Sequence, residues 1–265
     1  MNKDLKIAKT TVRTGIEALK KLSVSFNRSL QFSKAVNLCN KANKIGITGI
    51  GKSKDISVYV GGLMSSLNIP AVGFSVQDLL HGGLGFFSKD DILLIFSKSG
   101  ESSELSSLLR HFHKFKIKTI GVSCKSSSML LRNSTIKILL PKVAEAGHSL
   151  APTSSSLNFL SWGDALAIAC MKRKKWTNKK FITTHPSGTL ATSLILVNEI
   201  MAKGREIPLV SSKQTMRAAI KEMSKKRLGI VCCREKSGKI NIITDGDLRR
   251  NSNNLYKKKN SKYLQ

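Results

Sequence analysis

The chain has 265 residues, enough for one large domain with a full core and a smaller unit besides. A hydrophobic content of 41% excludes a disordered chain, and no apolar run is long enough to span a bilayer. The formal charge of +29 is the most unusual bulk property. The basic residues are scattered and aromatics make up only 6%, so it reads as a solvated basic exterior rather than a specific nucleic-acid surface.

The opening residues, MNKDLKIAKTTVRTG, lack the apolar centre and small-residue cleavage site of a secretory leader, so a cytoplasmic location is expected. Five cysteines, Cys39, Cys124, Cys170, Cys232 and Cys233, form no C-x-x-C pair and sit mostly in apolar segments. That pattern fits reduced core thiols better than disulfides or a zinc site.

In chain order, Leu5 to Leu22 and Phe26 to Leu38 carry apolar residues at helical spacing, predicting two helices with a break near Ser23 to Asn27. Five short apolar segments follow: Ile45 to Ile50, Ala71 to Phe74, Ile92 to Phe96, Thr119 to Ser123 and Ile136 to Leu140. Each leads into a polar, Gly- or Ser-bearing loop and then a helical pattern, as in a parallel sheet covered on both faces. Ligands of such sheets bind at the carboxyl ends of strands. The loops to search are therefore 51–54, 75–85, 97–104 and 142–156. A central helix is expected over Leu157 to Lys172. Further on come a helix at Met216 to Met223 and strands at Gly229 to Cys233 and Ile240 to Ile243, then a polar tail.

Gly46-Ile-Thr-Gly-Ile-Gly51-Lys52-Ser53 fits the G-x-x-x-x-G-K-[ST] pattern of a nucleotide-binding loop. Gly46 falls inside the apparent strand, however, and the strand at Ile92 to Phe96 runs into Ser97 rather than a metal-holding Asp. The segment reads as a strand, a tight turn and a helix start able to approach an anion. Ser97-Lys-Ser-Gly-Glu-Ser-Ser-Glu104 is more informative. The hydroxyls of Ser97, Ser99 and Ser102, with backbone N–H groups at a helix N-terminus, form a cup for a phosphate monoester, although a Ser-capped helix needs no ligand. Lys142-Val-Ala-Glu-Ala-Gly-His148 puts Glu145 at another strand's carboxyl end, before a helix cap at Thr153 to Ser156. His185 precedes a Pro turn, and His81 lies in a glycine-rich loop. Proton shuttling between neighbouring carbons needs a carboxylate or imidazole base beside a group that stabilises an enediolate, and Glu104, Glu145, His185 and Lys52 could supply those parts. His111 and His113 are two apart on a helix and point to different faces, which is no metal pair.

GIGKS, HGGLG, SKSGESSE, VAEA with LAPTSS, GDALA, THPSG and TDGDLRR, in this order, resemble the SIS (sugar isomerase) family, and within it the arabinose 5-phosphate isomerases. The resemblance implies a flavodoxin-like three-layer α/β/α domain over 41–190, with N-terminal helices over 1–40 packed on it. It further implies a single CBS motif over 200–250, a polar tail over 251–265 and a homo-oligomer, often a tetramer. It implies interconversion of ribulose 5-phosphate and arabinose 5-phosphate, feeding Kdo and lipopolysaccharide synthesis. Lys52, Glu104, Glu145 and His185 would be catalytic, and Gly51, Ser53, His81, Ser97, Ser99, Ser102 and Thr153 would bind substrate. No cofactor, metal, membrane or specific nucleic acid is implied, although zinc on His81, Glu145 and His185 would inhibit. Lys54, Lys98, Ser187 and Ala191 depart from the family pattern. A phosphosugar-sensing regulatory protein without catalysis is the alternative.

Overall fold

The computed structural model describes residues 2–27, 29–147, 151–174, 177 and 196–251, in two compact units, Met1–Leu194 and Ile195–Gln265. The first is built on a five-stranded, wholly parallel sheet: β1 Ile45–Gly49, β2 Ala71–Ser75, β3 Ile92–Phe96, β4 Lys118–Ser123 and β5 Ile136–Leu139. The strand order is β2-β1-β3-β4-β5. β1 and β3 are buried along their whole length, as their unbroken apolar runs require, whereas the edge strands β2 and β5 are partly exposed.

Strand alternation sends side chains into two separate apolar layers. Ile92, Leu94 and Phe96 join Ile45, Ile47, Ile120 and Val122 on one face, while Leu93 and Ile95 point into the other. The first face is covered by α1 Lys3–Phe26, α2 Leu30–Lys41, α3 Lys52–Ser66 and the long α7 Ser154–Arg173. Trp162 of α7 is almost wholly buried there, with its ring edge-on to Phe32 and Phe96. The second face is covered by α4 Val76–Leu80, α5 Ser103–Lys114 and α6 Met129–Arg132. This is the three-layer α/β/α architecture expected from the sequence.

Local differences have local causes. α1 continues to Phe26, and α2 starts from Ser29, whose hydroxyl accepts the Phe32 N–H. α7 begins at Ser154, three residues before its first apolar position, because its opening serines are themselves buried. α4 lies in the 75–85 stretch expected to be loop; the Ser75 hydroxyl accepts the Asp78 N–H and nucleates it.

In the second unit, β6 Leu209–Ser211 runs parallel to β7 Ile230–Arg234, which pairs antiparallel with β8 Ile240–Thr244. A short helix, α8 Val197–Ile200, precedes them; α9 Met216–Lys226 makes the crossover, and α10 Asp245–Arg250 follows β8. Its core is small: Val210, Ala219, Met223 and Val231, with Cys233, Ile243 and Leu248 packed against them. β6 has only three residues, too few to register as an apolar pattern. Among the described residues no helix is long and apolar enough to cross a membrane.

Candidate active site at the sheet switch point

In this strand order β1 lies between β2 and β3, so the connections after β1 and β3 leave on opposite faces of the sheet. A crevice opens where they part. The loop after β1 is only Ile50–Gly51. Gly51 sits at φ +58 as the N-cap of α3, a conformation that favours glycine, and Lys52 is the first helical residue. Gly46 lies within β1, where an added Cβ would overlap the Phe87 ring. It is a packing glycine, and the nucleotide-loop pattern is accidental.

The loop after β3 carries the serine cup. The Ser97 hydroxyl accepts the Gly100 N–H at 3.0 Å, and Gly100 turns the chain at φ +64. Ser102 is the N-cap of α5 but makes no side-chain cap hydrogen bond, so its hydroxyl stays available at the positive end of the helix. Ser97, Ser99 and Ser102 line a cavity of about 730 Å³ together with Lys52, Ser53, Lys98 and Ser155. Lys125 and Lys142 also reach it. Lys125 is paired with Glu101 at 2.7 Å, which holds the Glu101 carboxyl below its ordinary value. Lys52 is only loosely engaged, 3.7 Å from Asp55 with both side chains exposed. Cys124 faces the same cavity as a protonated thiol, since burial pushes it up to about 11.

Glu145 stands directly behind this cavity, with its side chain only 2% exposed. Its Oε1 accepts from Lys98 Nζ at 2.5 Å and from the Ser155 hydroxyl. Its Oε2 accepts the Thr153 and Ser155 N–H groups at 2.9 and 3.1 Å and the Thr153 hydroxyl at 3.3 Å. A carboxylate from eight residues upstream of Thr153 thus caps α7, while the Thr153 hydroxyl accepts the Ala146 N–H instead. Burial alone would raise the Glu145 carboxyl, but the Lys98 ammonium and the Ser155 and Thr153 donors outweigh it and hold the group at about 2.

Gly51 and Glu104 line a second cavity of about 360 Å³, which shares Ile50 with the first and includes Lys54, Ser75 and Asp78. The Glu104 Oε2 accepts from Ser103 Oγ at 3.2 Å. His81 is exposed at the C-cap of α4 and lines neither cavity. His148 and His185 lie outside the described residues. Among the described residues there is no group of three or more His, Cys, Asp or Glu side chains able to hold a metal. His111 stacks on Phe115, and His113 reaches the Asn133 carbonyl oxygen instead of its neighbour. Lys98 stands out in the sequence only as a departure within the phosphate loop, and Ser155, Lys125 and Lys142 do not stand out as cavity residues. Three of these are lysines, indistinguishable by type from the many that only solvate the surface.

A doubly wound parallel sheet with a basic, hydroxyl-lined anion cup at its switch point defines an α/β protein of the phosphate-ester-binding class. The chain belongs to the SIS-domain family, which matches residues 38–169, and within it to the arabinose 5-phosphate isomerase family. It is 38% identical over 254 residues to arabinose 5-phosphate isomerase KdsD of Francisella tularensis, covering 94% of this chain and 78% of that one. The namesake of Shigella flexneri is 35% identical over 210 residues, 78% of this chain and 64% of its own. A structure of an Escherichia coli CFT073 protein in complex with arabinose 5-phosphate superposes with a TM-score of 0.65 at 26% identity, covering 70% of this chain and all of that one.

Proposed function

We propose that the protein is an aldose–ketose isomerase interconverting D-ribulose 5-phosphate and D-arabinose 5-phosphate through a cis-enediol, feeding Kdo synthesis in the cytoplasm. The observation that carries the reading is the serine cup. Three hydroxyls and an uncapped helix N-terminus face a cavity rimmed by lysines, with carboxylates on either side. The similarity to enzymes named for arabinose 5-phosphate selects the sugar.

The substrate phosphate rests on Ser97, Ser99 and Ser102. A carboxylate removes the C2 proton of the aldose as O1 gains one, giving the enediol. The proton then returns to C1 while O2 loses its own. Lys52 offsets charge on the enediolate oxygens, with Gly51, Ser53 and Thr153 shaping the site around it. His185 opens the sugar ring, and His81, which lines neither cavity of this chain, would have to reach the sugar end from outside them. Glu145 is the proposed base and Glu104 the second candidate. No metal is required for this chemistry, and zinc on His81, Glu145 and His185 would block it. The exposed apolar side chains Leu5, Val12 and Ile16, at helical spacing along α1, support a homo-oligomer, which light scattering would read as a tetramer. The β-α-β-β-α order of the second unit supports a lone CBS motif.

Incubation with ribulose 5-phosphate should yield arabinose 5-phosphate in the presence of chelator. No conversion by folded protein would favour a sensor. Glu145→Gln and Glu104→Gln proteins assayed for exchange of the C2 proton with solvent rank the two bases, and full exchange by the Glu145 variant removes that residue from the role.

A further inference from the structure

The cavity and the buried carboxylate behind it share one cation. Lys98 follows Ser97 in the phosphate cup, and its side chain is half exposed to the cavity. Its ammonium nonetheless lies 2.5 Å from Glu145, whose side chain is almost wholly buried. The other groups facing Glu145 do not duplicate this contact. From α7 come the Thr153 and Ser155 donors, and from the end of β4 comes the protonated Cys124. From α1, Lys3 and Lys6 line a cavity of about 500 Å³ on its far side, yet neither forms an ion pair with it. Among the described residues, Lys98 is therefore the one side chain both placed on the phosphate cavity and ion-paired to Glu145.

We propose that Lys98 is a phosphate-operated latch: in the empty enzyme its ammonium occupies Glu145, and a phosphate dianion seated on the serines draws it across, releasing Glu145 toward the sugar. The idea rests on the isomerase reading for its purpose, though not for its test. A dianion rimmed by hydroxyls is the stronger partner for an ammonium half in water. Glu145 can give the lysine up because four other donor contacts, from Thr153 and Ser155, keep its charge satisfied. A base so arranged faces substrate only once the phosphate end is in place. Lys98 thus has two partners in turn, Glu145 in the empty enzyme and the phosphate in the loaded one.

The test is a double-mutant cycle on the full chain, read as the dissociation constant of inorganic phosphate by calorimetry for wild type, Lys98→Met, Glu145→Gln and the double variant. Phosphate binding in the wild type must break the Lys98–Glu145 pair. Glu145→Gln should therefore bind about tenfold more tightly, and Lys98→Met about tenfold more weakly, near the worth of one charge-assisted hydrogen bond. The double variant should match Lys98→Met, because the carboxylate matters only through the lysine. Equal tightening by Glu145→Gln with and without Lys98 would mean simple through-space repulsion and overturn the latch, as would unchanged affinity in Lys98→Met. If Glu145→Gln does not fold, Glu145→Asp, whose shorter side chain keeps the charge but lets go of Lys98, takes its place in the cycle, and unchanged phosphate affinity in that variant overturns the latch. Phosphate binding needs no turnover. Conversion of ribulose 5-phosphate with an additive cycle would leave the isomerase and remove the latch, whereas a coupled cycle without conversion would do the reverse.

Discussion

Glu145 uses both carboxylate oxygens to hold Lys98, Thr153 and Ser155, so its loss should be felt in stability. Its folded-state value of about 2 lies below the ordinary 4.5. The sign follows: the ionised carboxylate stabilises the fold fully above about pH 4.5, and that contribution fades as the pH falls toward 2. The partner ammonium is half in water, which discounts the full shift. We expect Glu145→Gln to cost about 2 kcal/mol at pH 7. The gap to wild type should narrow as the pH falls below about 4.5 and close only near pH 2, measured by urea unfolding followed through tryptophan fluorescence. A gap that stays constant with pH would mean that the side chain contributes by shape rather than charge.

At the scale of elements, the crevice depends on how closely α3 lies on β1 and β2. Gly61 and Gly73 face each other there. A Cβ on Gly73 would overlap the Val58 Cα, and one on Gly61 would come within 2.7 Å of the Gly73 nitrogen. Both meet backbone, which cannot swing aside. Gly73→Ala should therefore push α3 off the sheet, lowering stability by about 2 to 3 kcal/mol. It should also raise the KM for sugar phosphate, because α3 carries Lys52 and Ser53. Gly62→Ala, with open space at its Cβ, is the matched control and should leave both unchanged or slightly improved.

The same elements explain what the sequence makes legible. Five strands, their parallel sense and the candidate ligand loops could be read because β1 and β3 are apolar throughout and alternate with helical patterns, as in a sheet covered on both faces. The serine cup was legible as a loop with its hydroxyls in order. The Lys98–Glu145 contact was not, since the residues are 47 apart and meet only when the loops after β3 and β5 converge. Glu104 and Glu145 likewise read as equivalent carboxylates, although the fold leaves one on an open cavity and saturates the other with donors. β6 and α4 escaped because three and five residues hold too little periodicity to stand out.

For the molecule as a whole, +29 is a large net charge. Its consequence for a phosphate-binding enzyme is kinetic. A basic exterior attracts anionic substrate over about a Debye length, and the crevice rimmed by Lys52, Lys98, Lys125 and Lys142 focuses that field at the cup. Lys98 and Lys125 pair closely with Glu145 and Glu101, and Lys52 lies 3.7 Å from Asp55, so most of the long-range attraction comes from the exterior. Raising salt from about 10 to 300 mM should therefore lower kcat/KM for ribulose 5-phosphate several-fold through KM, with kcat nearly constant, because screening weakens approach more than contacts inside the cavity. The same salt range should release the protein from heparin and from DNA of any sequence, as expected for scattered lysines without aromatic stacking partners. A kcat that fell in step with kcat/KM would place the salt-sensitive charges inside the reaction itself. A sequence-dependent affinity for DNA would give the basic surface a function of its own.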